Sequence, residues 1–148
     1  MKILTPLFIF LSCSTIHYSQ EHVNTNKGVA IDGYDVISYF EGNAKKGSNL
    51  FISEMDGVVY WFTNEDHRMQ FEKAPLQYLP QYGGFCAYAM GKSGEKVSIN
   101  PKAYLVSDGK LYLFYKNFAV NTLKKWQDEN TEVLQKKADE SWAAMTKN

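Results

Sequence analysis

Arginine is almost missing from this 148-residue chain: Arg68 is the only one. The guanidinium is the side chain that grips phosphate bidentately, so its scarcity removes the commonest phosphate clamp. An excess of one charge is missing too, with 16 Lys+Arg against 16 Asp+Glu. No global field then recruits nucleic acid or an anionic membrane, and nucleic-acid binding is excluded on these grounds. Cysteine is scarce: only Cys13 and Cys86 occur, with no CxxC pair, which argues against a structural zinc site. An HExxH motif, a phosphate-cradling glycine loop and paired catalytic carboxylates on one element are all lacking, as are internal repeats and low-complexity segments. The length fits one compact domain with its own core.

The N-terminus, "MKILTPLFIFLSCSTIHYSQ", has the form of an export signal. Lys2 is a short positive n-region, and residues 3–11 are apolar but too few to span a bilayer. Ser12 and Ser14 suit a small-x-small cut, and a cut after Gln20 is the other choice. "FLSC" also resembles a lipobox, with Cys13 as the lipidated residue. Residues 1–20 are therefore expected to be a signal peptide or a lipoprotein signal, with a retained signal anchor as the alternative. The domain is expected to be exported, periplasmic or in the outer envelope, touching a membrane only through a lipid on Cys13. Cys86 would then have no partner in an oxidising compartment.

Residues 21–28 are polar and aperiodic and suggest a tether, with the domain proper at 29–148. Val29 and Ile31 alternate in a short strand, and Asp35 is placed to cap a helical turn over Val36 to Phe40. Asp56-Gly57 and Asp108-Gly109 each stand between β-rich runs, a strong hairpin signal. Thr63 and Asp66 have capping-box spacing at the start of a helix that Pro75 ends. His67, Gln70, Phe71 and Ala74 share one face of it. "FCAYAM", residues 85–90, is expected as a strand with Cys86, Tyr88 and Met90 on one side. The C-terminal part is helical, with stripes at Ala119, Leu123 and Trp126 and at Leu134, Ala138, Trp142 and Met145. Hairpins followed by helices, without βαβ alternation, indicate an α+β fold: a small antiparallel sheet packed with C-terminal helices.

The segments "VAIDGYDVISYF", "FISEMDGVVYWFTNEDHRMQFEKAPLQYLPQYGGFCAYAMG" and "NPKAYLVSDGKLYLFY", with the Trp-containing tail, together resemble the YHS-domain family. They are most similar to its exported bacterial branch, which begins with a Gly-Tyr-Asp segment. The resemblance spans residues 29–142. Metal-binding relatives carry an F-C-x-x-x-C pattern where this chain has Phe62, Thr63 and His67, so Thr63 and His67 stand at the cysteine positions. Relatives often have Pro and Asp where this chain has Val36 and Asn100.

Cys86 and His67 are the soft-ligand and base candidates. Tyr34, Tyr88 and Met90 complete a candidate pocket, and Gly83 and Gly84 supply close backbone approach or positive φ. Each has a plainer reading as well: a packed thiol, a half-buried histidine on Phe71, core methionine and packed tyrosines. The leading expectation is an exported, non-enzymatic binding module for a small ligand or a metal ion, copper or zinc, at a Cys86/His67 pocket. One alternative is a thiol-dependent redox enzyme using Cys86 with His67 as its activator. The other is an envelope interaction module without metal.

Overall fold

The computed structural model describes residues 20–147. The export-signal reading and its candidate anchor Cys13 lie outside the described residues. Within them the chain is α+β. Strands β1 (Thr25–Asn26), β2 (Val29–Ala30), β3 (Ser48–Met55) and β4 (Val58–Phe62) form a sheet ordered β1-β2-β4-β3. Strands β5 (Asn100–Ser107) and β6 (Lys110–Phe114) form a second sheet.

Both Asp-Gly pairs close hairpins, as their composition demands. Asp56 and Gly57 have φ of 51° and 78°, and Asp108 and Gly109 have 50° and 71°. Two successive positive φ values are the signature of the hairpin turn that matches strand twist. Lys27-Gly28, with φ of 52° and 80°, makes a third such turn between β1 and β2. That turn corrects the expected tether at 21–28. Val23 packs on the core, and Asn24 donates its backbone and side-chain N–H groups to the carbonyls of Gly83 (2.8 Å) and Gly84 (3.0 Å). The polar groups of this segment bond to the domain instead of to water.

Helix α1 (Val36–Phe40) starts where expected, with Asp35 Oδ1 accepting from the Ile37 amide at 2.9 Å. Helix α2 (Glu65–Lys73) is capped by Asn64, which accepts from the His67 amide, and not by Thr63. The reason is competition: the Thr63 amide and hydroxyl both donate to Asp35. Pro75 ends α2 as expected and opens the short α3 (Pro75–Tyr78).

The expected strand at 85–90 is instead the start of a helix, α4 (Ala87–Ser93), with Cys86 as its cap residue. Alternation over six residues does not separate strand from helix. The two alanines favour helix, and Gly94, at φ 69°, supplies the left-handed end. Packing completes the choice. Gly91 lies so close to α6 (Thr131–Thr146) that a Cβ there would stand 2.5 Å from the Leu134 carbonyl oxygen. Helix α5 (Thr122–Asp128) begins behind an Asn121 cap, so exposed Ala119 falls outside the expected stripe while Leu123 and Trp126 stay in it. The Asn117 side chain accepts from the Ala119 and Val120 amides and holds them in a turn. Leu134, Ala138, Trp142 and Met145 of α6 do face the core.

Two apolar clusters result. One gathers Tyr39, Val58, Phe62 and Phe71 between the first sheet, α1 and α2. The other gathers Met90, Phe114 and Trp126 between β6 and the last three helices.

Candidate functional site

Asp35, from the Gly-Tyr-Asp segment, is fully buried. A buried carboxylate is tolerated only where donors replace its water. Oδ1 takes the Ile37 amide, while Oδ2 takes the Thr63 amide (2.9 Å), the Thr63 hydroxyl (2.8 Å) and His67 Nδ1 (2.7 Å). The outer His67 nitrogen, Nε2, stands 3.1 Å from Glu41 Oε1. With a carboxylate at each ring nitrogen, both contacts become hydrogen bonds only when the ring carries both protons. Asp35 is the acidic orienter of His67, 32 residues away in sequence. The network clamps α1, the end of β4 and the first turn of α2 together. Its outer nitrogen meets an acid and not a nucleophile, which is the geometry of a structural clamp.

Cys86 is fully buried. Its Sγ accepts from the Tyr115 amide at 3.3 Å and lies 3.3 Å from Thr122 Oγ1. The Thr122 hydroxyl donates its only proton to the Tyr115 carbonyl at 2.7 Å. The thiol must therefore be the donor toward Thr122. Both hydrogen-bonding roles of the sulfur are filled within the fold, on a chain segment that runs beside β6 through a Cys86–Leu113 bridge.

Cys86 and His67 share no hydrogen-bond partner, and neither lines the cleft described below. The expected Cys86/His67 pocket is thus not assembled. Met90, one helical turn from Cys86, is core. Tyr88 points elsewhere, its hydroxyl donating to Glu129 Oε1 at the surface; that bond raises the phenol's pKa and lowers the carboxyl's. Gly83 and Gly84 do adopt positive φ, 59° and 81°, beneath the docked N-terminal segment. Among the described residues no three His, Cys, Asp or Glu side chains form a metal-holding group. The sealed sulfur and doubly engaged imidazole do not fit a copper or zinc ion between them. Arg68, the lone guanidinium, pairs with Glu65 and Glu72 on its own helix.

Tyr34 has a different setting. It lines an open cleft of about 750 Å³ with Trp61, Lys27, Lys46, Asn26 and Asp32, within the size range of small-molecule sites. Two glycines build it. A Cβ on Gly33 would stand 2.7 Å from Trp61 Cε3, and one on Gly47 would stand 2.6 Å from the Trp61 carbonyl carbon. The indole thus sits flush on backbone, and the Gly47 amide donates to the Gly33 carbonyl at 2.8 Å. Exposed Lys27 and Lys46 enter no ion pair among the described residues, whereas Asp32 accepts from the Asn26 amide at 3.0 Å. Trp61, Lys27 and Lys46 were not legible as site residues. Alternation along "VVYWF" shows that Trp61 opposes Tyr60, but not that its face is left open.

No helix among the described residues is long and apolar enough to cross a membrane. Compared with models of protein families, with curated proteins and with solved structures, the chain matches none.

Proposed function

We propose that this chain is an exported, YHS-like binding module whose ligand is a small organic carboxylate held in the Tyr34–Trp61 cleft. The YHS-like and export parts rest on the sequence segments and the N-terminal pattern. The observation that carries the ligand is the cleft: an aromatic floor at Trp61, a phenol at Tyr34, and two unpaired ammonium groups, Lys27 and Lys46, against the single acid Asp32. A flat or apolar body stacks on the indole, and its carboxylate meets the lysines. Binding without catalysis is the reading favoured by the clamp around His67 and the burial of Cys86, which also count against the thiol-enzyme alternative.

Benzoate titrated against the intrinsic tryptophan fluorescence tests this. The expected result is a saturable change that Trp61→Phe removes and that Lys27→Ala with Lys46→Ala weakens by about tenfold, since two charge-assisted contacts are lost. A change unaffected by all three substitutions would place the ligand elsewhere. Stoichiometric copper or zinc that disappears in Cys86→Ala would restore the metal reading in its place.

A further inference from the structure

The one acid of the Tyr34–Trp61 cleft, Asp32, stands on strained backbone. Ile31 and Asp32 have φ of 51° and 52°, and Gly33 follows at 78°. Left-handed residues normally occur singly, and a β-branched one such as Ile31 is an outlier. The surroundings enforce this run. Ile31 is buried, its amide donates to the Asn24 carbonyl at 3.1 Å, and its carbonyl accepts from the Tyr34 amide at 3.0 Å. Backbone strain held in this way gathers at ligand sites.

Of these three residues, only Gly33 is needed to seat the Trp61 indole. The other two bury Ile31 and leave Asp32 exposed on the cleft wall. Asn26 Nδ2 donates to Asp32 Oδ1 at 3.0 Å and holds the carboxylate in place. Oδ2 takes no hydrogen bond among the described residues. Lys27 and Lys46 line the same cleft, yet neither forms an ion pair with Asp32. The cleft thus presents charges of both signs that do not neutralise each other.

We infer that the ligand of this cleft is a zwitterion, an aromatic α-amino acid, and that Asp32 is the residue that selects it. The inference rests on the carboxylate reading of the cleft and adds a second charged group to the ligand. The ring stacks on Trp61, the carboxylate meets Lys27 and Lys46, and the ammonium group meets Asp32 Oδ2. A carboxylate ligand without an amine leaves Asp32 facing a like charge. The amine turns that contact into an attraction.

Phenylalanine and 3-phenylpropionate differ only by the amino group, so the pair separates this inference from the carboxylate reading. Titrated against the tryptophan fluorescence of the full chain, phenylalanine should bind about fivefold more tightly, the strength of one solvent-screened ion pair. Asp32→Asn keeps an acceptor for Asn26, and asparagine tolerates a left-handed φ. In that variant phenylalanine should fall to the level of phenylpropionate or below, while phenylpropionate binds at least as tightly as before. Asp32→Gly, which relieves the left-handed strain, serves the same purpose if Asp32→Asn does not fold. Phenylpropionate binding as tightly as phenylalanine would overturn the inference and leave the carboxylate reading standing. So would a preference for phenylalanine that persists without the Asp32 carboxylate. Failure of benzoate, phenylpropionate and phenylalanine alike would remove the carboxylate reading and the inference with it.

Discussion

Replacing Asp35 by alanine removes one carboxylate from four donors at once. The Ile37 and Thr63 amides, the Thr63 hydroxyl and His67 Nδ1 all lie within 2.7–2.9 Å of it. Loss of the α1 cap alone costs about 0.5–2 kcal/mol. Removing one partner of a buried ion pair costs about 3–5 kcal/mol, because the other is left uncompensated. The two costs overlap, since both describe the same carboxylate, so the expected total is about 3–5 kcal/mol. Native domains are stable by about 5–15 kcal/mol, so this is a large fraction. Asparagine is not a rescue. Its NH₂ must occupy either the Oδ2 position, facing three donors, or the Oδ1 position, facing the Ile37 amide. At least one donor–donor contact remains either way, so Asp35→Asn should cost about 2–4 kcal/mol, whereas Thr63→Ala, losing the hydroxyl's bond to Asp35 and the one it accepts from the Asn64 side chain, should cost about 1–2 kcal/mol. Urea unfolding followed by circular dichroism at pH 7 measures all three. An Asp35→Ala cost below about 1 kcal/mol, or a neutral Asp35→Asn, would refute the view of Asp35 as the clamp joining α1, β4 and α2.

Three further outcomes are expected. Gly83→Ala should destabilise by about 2–4 kcal/mol, combining left-handed strain with displacement of the His22–Asn24 segment, whereas Gly109→Ala, at φ 71° with nothing within 4 Å of its Cβ, should cost only about 1 kcal/mol; equal costs in urea titrations would show that the segment is not docked. In the Cys13→Ser chain, a disulfide reagent should modify Cys86 no faster than the protein unfolds, and a fast reaction without denaturant would contradict the sealed thiol. Folding raises the Tyr60 phenol from 10.0 to about 12, so the folded state holds its proton more tightly and the associated stability is complete below pH 10 and lost between pH 10 and 12. Over that window the native chain should lose about 2 kcal/mol more than Tyr60→Phe, and parallel pH curves would remove the burial argument.

The features legible in the sequence were those decided within a few residues. An Asp-Gly pair can take two successive positive φ values at low cost wherever it occurs, so both expected hairpins formed. Asp35 could be recognised as a cap because its Oδ1 partner, Ile37, is two residues away. The same side chain's Oδ2 partners lie 28 and 32 residues on, and no local pattern marks them. "FCAYAM" failed for a related reason. Its alternation is compatible with a strand, but the backbone contact between Gly91 and Leu134, 43 residues apart, belongs to a helix pair.

Composition and motif by themselves determined the α+β class, the hairpins and the α6 stripe, because short-range backbone preference and hydrophobic periodicity do not depend on the rest of the fold. Tertiary structure alone decided what the chemically promising residues do. It placed Cys86 between the Tyr115 amide and the Thr122 hydroxyl, and gave His67 an acid on each nitrogen. It opened the cleft at Tyr34 by seating Trp61 on Gly33, and docked on Gly83 and Gly84 a segment whose polarity suggested a tether. A cavity is bounded by residues from distant parts of the chain, and whether a thiol or phenol is satisfied depends on donors that only the folded chain brings within 3 Å or so.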